Sequence, residues 1–170
     1  MIIIPFEQRH KSPLASLVRE YVGSELNSNR FDDPLEFEDT INGVADFLMD
    51  EIGCGSELCH LAVDENGEVI GFATAHLYHN NASKTLHAGV VEFTGVYVPE
   101  QFRYRGIAKS LDASLIEHAR SMPEAIKLVA PIKVGNIAGE KLKKSLGFRP
   151  TKETYAGEPG GMYRYFKRKV

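Results

Sequence analysis

Arg103, Tyr104, Arg105, Gly106, Ile107, Ala108 and Lys109 follow a β-rich run ending in Val96-Tyr97-Val98 and open a stretch with helical spacing. The first amides of a helix lack intrahelical acceptors, and the macrodipole adds partial positive charge beside them. A glycine there admits an anion to the main chain without a Cβ in its path. Arg103 and Arg105 add mobile charge, so the segment is expected to hold a phosphate. A string this short is weak evidence by itself.

A second constellation lies 33 residues beyond Arg103: Asn136-Ile-Ala-Gly-Glu-Lys-Leu-Lys-Lys-Ser-Leu-Gly-Phe148. In order and spacing the two segments resemble the R-x-x-G-x-A loop and the N-x-x-A-x-x-x-Y-x-x-x-G-F helix of the GCN5-related N-acetyltransferases. The resemblance covers about residues 90–148, and its second part holds at Asn136, Gly147 and Phe148. It implies an acetyl-coenzyme A-dependent acyltransferase that moves an acetyl group to a primary amine of a small molecule or peptide, by direct transfer in a ternary complex. Under that resemblance Val96, Tyr97, Val98, Arg103 to Lys109, Asn136 and Lys143 are the expected cofactor-binding residues. The alternative is a coenzyme A-binding module of the same fold with lost or regulatory activity. It is suggested by Lys143, which stands where the family usually has tyrosine, while Gly139 replaces the usual alanine.

Acyl transfer from a thioester needs a polarised carbonyl, an amine relieved of its proton and a stabilised leaving thiolate. Glu92, six residues before Val98, is the candidate base, because relatives keep a glutamate there; the competing reading is an ordinary strand-edge charge. His87 and Tyr97 are weaker substitutes. Gly95 interrupts the strand and marks either a bulge that frees main-chain N–H groups near Val96 and Val98 or a glycine kept for packing. Lys143 is open to several roles: steadying the thiolate, donating a proton, binding phosphate or pointing into water. Its neighbours Lys141 and Lys144 favour the solvated basic face, which would leave coenzyme A to be protonated by solvent.

The formal charge of −3 hides a division along the chain. Fourteen acidic residues between Glu20 and Glu68 face Arg30 alone, whereas fifteen basic residues from Arg103 onward face six acids. The basic half carries the phosphate loop, and coenzyme A accounts for it without nucleic acid, for which no motif is present. The acidic half is expected to draw a cationic amine acceptor, or else to keep the surface soluble. Cys54 and Cys59 have no zinc spacing and read as reduced and structural. His76 and His79 read as ordinary strand-end histidines, since positions three apart on a strand face opposite ways. No metal is expected. No signal peptide or membrane span is legible, so a cytoplasmic protein is expected, with a homodimer among the assemblies considered.

The length of 170 residues, 43% of them hydrophobic, fits one domain spanning residues 1–170. Met1 to Glu7 reads as a strand, then a helix from Pro13 to Leu26 capped by Ser12. A second helix carries Phe37 to Ile52, so the acceptor-side helices span about residues 13–52. A meander follows: Leu58 to Asp64, a type I′ turn at Asn66-Gly67, Glu68 to Tyr78, and Ala88 to Val98. A helix through Ile107 to Ala119, a doubly buried strand Ala125 to Val134, a helix capped by Asn136 and a last strand Met162 to Lys169 complete the order. The loop Asn80 to Ser83 and the segment Tyr155 to Gly161 are too polar or Gly-rich for regular structure. The expected fold is α/β with an α+β layout: a mixed central sheet of six to seven strands flanked by four helices.

Overall fold

The computed structural model describes residues 1–26, 33–55, 57–80, 82, 85–157 and 161–170. The expected connection Asn27 to Arg30 and parts of the loops 80–83 and 155–161 fall outside these. The elements are β1 (Ile2–Pro5), α1 (Lys11–Glu25), α2 (Pro34–Cys54), β2 (Glu57–Val63), β3 (Val69–Leu77), β4 (Val90–Tyr97), α3 (Ile107–Ser121), β5 (Lys127–Lys133), α4 (Ile137–Ser145), β6 (Arg149–Ala156) and β7 (Met162–Lys169). They form a seven-stranded mixed sheet in the order β1-β2-β3-β4-β5-β7-β6. Only β4 and β5 run parallel among its neighbours; every other pair is antiparallel.

Strand alternation divides the core in two. Cys59, Leu61, Val63 and Phe72 point to the face covered by α1 and α2, where Leu14, Val18, Ala45 and Ile52 meet them. Ala62, Ala73, Ala75, Val91, Phe93 and Ala130 point the other way, against Leu111, Leu115 and Ile116 of α3 and Phe148 after α4. Period-two strands between two amphipathic layers need both faces covered, and this chain supplies two helices to each.

Local chemistry moved several expected boundaries. Glu7 and His10 form a reciprocal capping box around a 3-10 turn at Gln8–His10, so α1 begins at Lys11 and Ser12 lies inside it. Asp33 caps α2 by accepting from the Leu35 amide at 2.9 Å, with Pro34 in the first turn. The β2–β3 turn is not type I′: Gly67 has φ +86°, but Asn66 stays at negative φ. Instead the Gly67 amide donates to the Asp64 carbonyl and Asp64 carboxylate accepts from Asn66 and Glu68. In β5 only Leu128–Ala130 are buried, because its second half borders a cleft. Cys59 is buried, whereas Cys54 is exposed, and neither is bridged. Among the described residues, no helix is long and apolar enough to cross a membrane.

Candidate active site

The cleft starts where β4 and β5 part. Their register covers Val90–Lys127, Val91–Leu128 and Glu92–Val129 and goes no further. On β4 the cause is a bulge: Ala75 of β3 pairs with Phe93 and Thr74 with Gly95, so Thr94 is the extra residue. The strand break marked by Gly95 is a bulge, and a Cβ at Gly95 would also lie 3.0 Å from the Tyr21 hydroxyl oxygen, so the glycine serves packing as well. On β5, Pro131 has no N–H to extend the ladder. Two cavities of about 380 and 520 Å³ fill the gap and share Tyr21, Glu25, Val96, Asn136, Gly139 and Leu142 in their walls. Glu92 belongs to the α1/α2 face and Lys143 to the α3/α4 face, so the opening passes through the sheet.

The larger cavity gathers the expected cofactor residues Val96, Tyr97, Val98, Arg103, Tyr104, Gly106, Ile107, Ala108, Lys109 and Asn136; Arg105 is outside its wall. Arg103 Nε donates to the Val98 carbonyl at 2.9 Å, which ties the loop to the end of β4. Arg105 donates to the Gln101 carbonyl at 3.2 Å and lies over the Phe102 ring. Gly106 is the N-cap of α3 at φ +80° and has no side-chain cap bond, while Tyr104 is also left-handed at φ 62°. A Cβ built on Gly106 meets nothing within 4 Å, so the helix start opens directly onto the groove. Unpartnered amides, an open glycine and nearby Arg103 and Lys109 fit a pyrophosphate. Ile107 is buried in the core, so its side chain anchors the loop.

Asn136 caps α4 as expected, its Oδ1 accepting from the Gly139 amide at 2.9 Å. An alanine at 139 would bring a Cβ within 3.1 Å of that side chain. Lys143 corrects the sequence reading: it is not on a solvated basic face. Its Nζ donates to Asp112 Oδ2 of α3 at 2.7 Å, and both side chains are almost fully enclosed. The ammonium also lies 4.4 Å from the Phe93 ring centroid. Burial lowers its proton affinity, against the pull of Asp112. The turn after α4 explains the placement: the Phe148 amide donates to the Lys143 carbonyl and the Gly147 amide to Lys144, a Schellman arrangement that draws Phe148 inward.

On the opposite side of the opening Glu92 is 8% exposed and accepts from the Tyr78 hydroxyl at 2.8 Å. Burial raises its pKa, restrained by that hydrogen bond and by the charge of His76. Glu57 lies close by, receives a hydrogen bond from Thr94 Oγ1 at 2.9 Å and has its pKa pushed up to about 7, first by burial and further by Glu92. Tyr155 stacks on Tyr165 at 4.6 Å, and Tyr155 and Tyr163 line the cleft. His87 lies 3.0 Å from the Ala88 carbonyl and lines neither cavity; Tyr97 donates to Glu20. Glu25, from the acidic segment, reaches both cavities. Sequence reasoning missed Glu57, Tyr78 and Asp112. Each gains meaning only from a partner on another element, and Asp112 alone carried a local sign, an acid within the apolar stripe of α3.

A seven-stranded mixed sheet split between β4 and β5, with a helix N-terminus at the split, defines an acyl-coenzyme A-binding transferase fold. A sequence model of the acetyltransferase (GNAT) family matches residues 24–148, more than half of the chain, and the chain belongs to that family. Comparison with curated proteins gives no significant sequence match. Among solved structures, a ribosomal-protein-alanine N-acetyltransferase from Brucella melitensis is similar at TM-score 0.73 and 21% identity, covering 100% of both chains. Arabidopsis thaliana NAA60 in complex with acetyl-CoA is similar at TM-score 0.73 and 17% identity, over 99% of this chain and 98% of that one. A phosphinothricin acetyltransferase from Sinorhizobium meliloti, in complex with AcCoA, gives TM-score 0.73 and 19% identity over 99% and 88%. At these identities the likeness speaks for the fold.

Proposed function

We propose that the protein is an acetyl-coenzyme A-dependent N-acetyltransferase acting on a cationic primary amine, with Glu92 as the base. The observation that carries this reading is the pairing, within one cleft, of an open helix N-terminus at Gly106 with a buried carboxylate at Glu92. Bound acetyl-coenzyme A supplies an acyl thioester, the electrophile that an amine attacks. The Arg103 to Lys109 loop binds its phosphates through α3 amides and mobile charge. The edge of β4 beyond Glu92, free of β5, offers main-chain groups to the pantetheine arm and to the acetyl oxygen near Val96 and Val98.

Glu92 accepts the ammonium's proton. An alkylammonium with pKa near ~10 holds its proton at neutral pH, and a carboxylate of raised pKa is a better acceptor than an exposed one. Tyr78 orients the receiving oxygen. Glu25, Glu57 and Glu92 favour a cationic acceptor by their charge, and Tyr155 and Tyr163 flank its path. On the α3/α4 face the Lys143 ammonium adds positive charge beside Phe93, on the side of the departing sulfur.

A second reading draws on the buried Lys143–Asp112 pair in place of the family's tyrosine: coenzyme A is bound and no acetyl group is moved. Thiol release from acetyl-coenzyme A over a panel of cationic and neutral amines separates the two. Turnover favouring cationic amines is the expected result. Binding without release on any amine supports the second reading, and indifference to acceptor charge removes the cationic assignment.

A further inference from the structure

Glu57, His76 and Glu92 are direct register partners on three neighbouring strands, Glu57 of β2 facing His76 of β3 and His76 facing Glu92 of β4. Directly opposed residues in an antiparallel sheet project to the same face with Cβ atoms about 4.5–5.5 Å apart. The three make a carboxylate, imidazole, carboxylate row on the α1/α2 face. His76 Nδ1 lies 3.4 Å from Glu57 Oε1, and Thr94 on the bulge holds the other Glu57 oxygen. Exposure changes along the row: Glu92 is 8% exposed and the His76 side chain 32%. A carboxyl that takes a proton in every turnover must lose it again, and an enclosed one needs a neighbour through which to do so.

We propose that His76, oriented by Glu57, carries the proton from Glu92 to bulk water, which makes His76 and Glu57 positioning residues that act through Glu92. The inference rests on the reading of Glu92 as the base. The amine's N–H bond breaks as a Glu92 O–H bond forms; that O–H breaks as the imidazole takes the proton, and the imidazolium yields it to water. One proton moves and no electrons are exchanged. With Nδ1 directed at Glu57, Nε2 is the nitrogen left to accept.

The titratable surroundings are mostly acids and phenols. Tyr78, directly after β3, donates to Glu92. Tyr155 of β6 and Tyr165 of β7 interact electrostatically with the Glu92 and Tyr78 group, and Tyr163 of β7 with Tyr21. Glu51 of α2 adds negative charge near Glu57, and α1 contributes Tyr21 with Glu25 beside it. None of these groups is a cation, so the row stands in acidic and phenolic surroundings.

The test is the pH dependence of kcat with an amine acceptor for the wild type, His76→Asn and Glu57→Gln, with acetyl-coenzyme A affinity as the check on folding. His76→Asn is expected to lose about tenfold or more in kcat, with the amine KM little changed and the acid limb displaced. Glu57→Gln is expected to lose less. In His76→Ala, added imidazole should restore kcat in proportion to its neutral form, and this rescue decides the matter if His76→Asn is unstable. An active wild type beside an unaltered His76→Asn profile, or no rescue of His76→Ala, overturns the relay and leaves Glu92 as base. A wild type that binds acetyl-coenzyme A and releases no thiol overturns both.

Discussion

The two arms of the cleft are made of different material. On the proposed cofactor arm, seven consecutive residues from Arg103 to Lys109 combine a helix start and a left-handed glycine with mostly exposed side chains. On the proposed acceptor arm, Glu57, His76 and Glu92 come from three strands and Tyr78 directly follows β3, and Glu92 and Glu57 are largely enclosed. One arm presents main chain to solvent, where any binding strength comes from geometry. The other holds carboxylates removed from water, where every neighbour alters proton affinity. Damage to the first should weaken binding, and damage to the second should slow turnover or shift its pH dependence.

The strongest contrast comes from Glu92→Gln, expected to cut kcat by ~10²–10⁴ while leaving acetyl-coenzyme A affinity unchanged in calorimetry. A matching loss of affinity would mean the arms are not separable. Next is Lys143→Ala, which strands Asp112 in the core and should cost ~3–5 kcal/mol in urea denaturation. The paired change Asp112→Leu with Lys143→Met should recover most of that stability, and its kcat then reports whether the ammonium serves the leaving thiolate.

Gly106→Ala puts a Cβ at φ +80°, which should cost ~1–2 kcal/mol of stability through backbone strain, and it should also weaken acetyl-coenzyme A binding because the Cβ stands where the pyrophosphate would approach the main chain. Gly67→Ala, at φ +86° in the β2–β3 turn, carries similar backbone strain and should lower stability without touching affinity. Equal affinity losses in both would deny the loop its special place. Tyr78→Phe removes a donor to ionised Glu92, so the Glu92 pKa rises and the acid limb of kcat/KM should move to higher pH.

The smallest effect concerns stability alone. Glu57 has a folded-state pKa of about 7 against an ordinary 4.5, so the stability linked to its protonated form is present below about 4.5 and lost as pH rises through 7. Glu57→Gln should therefore flatten the decline in urea midpoint between pH 5 and pH 8. A decline as steep as the wild type's would place the responsible group elsewhere.

Much of the fold was legible because it follows local periodicity. The three-strand meander, the Asn136 cap and the turn at Gly147 were all readable, and so was the break at Gly95. Boundaries slipped where a cap used unexpected partners, as with Glu7 and His10 before α1. Lys143 was misread for a different reason. Lys141 and Lys144 beside it are surface residues, and nothing within α4 distinguishes the lysine that turns inward. Its partner Asp112 is 31 residues earlier on another helix, and only packing brings the two together. His76 read as an ordinary strand-end histidine because its neighbours Glu57 and Glu92 are remote in sequence.

By itself the sequence determined most of the elements, the family resemblance and the glycine-led helix start at Arg103 to Lys109, since each depends on residues adjacent in the chain or at helical and strand spacing. Tertiary structure alone decided which titratable groups meet and how far they are buried. Strand register aligned Glu57, His76 and Glu92, the bulge at Thr94 parted β4 from β5, and burial shifted the carboxylates. Proton affinity depends on distance and desolvation, and neither exists until the strands pair and the helices close over them.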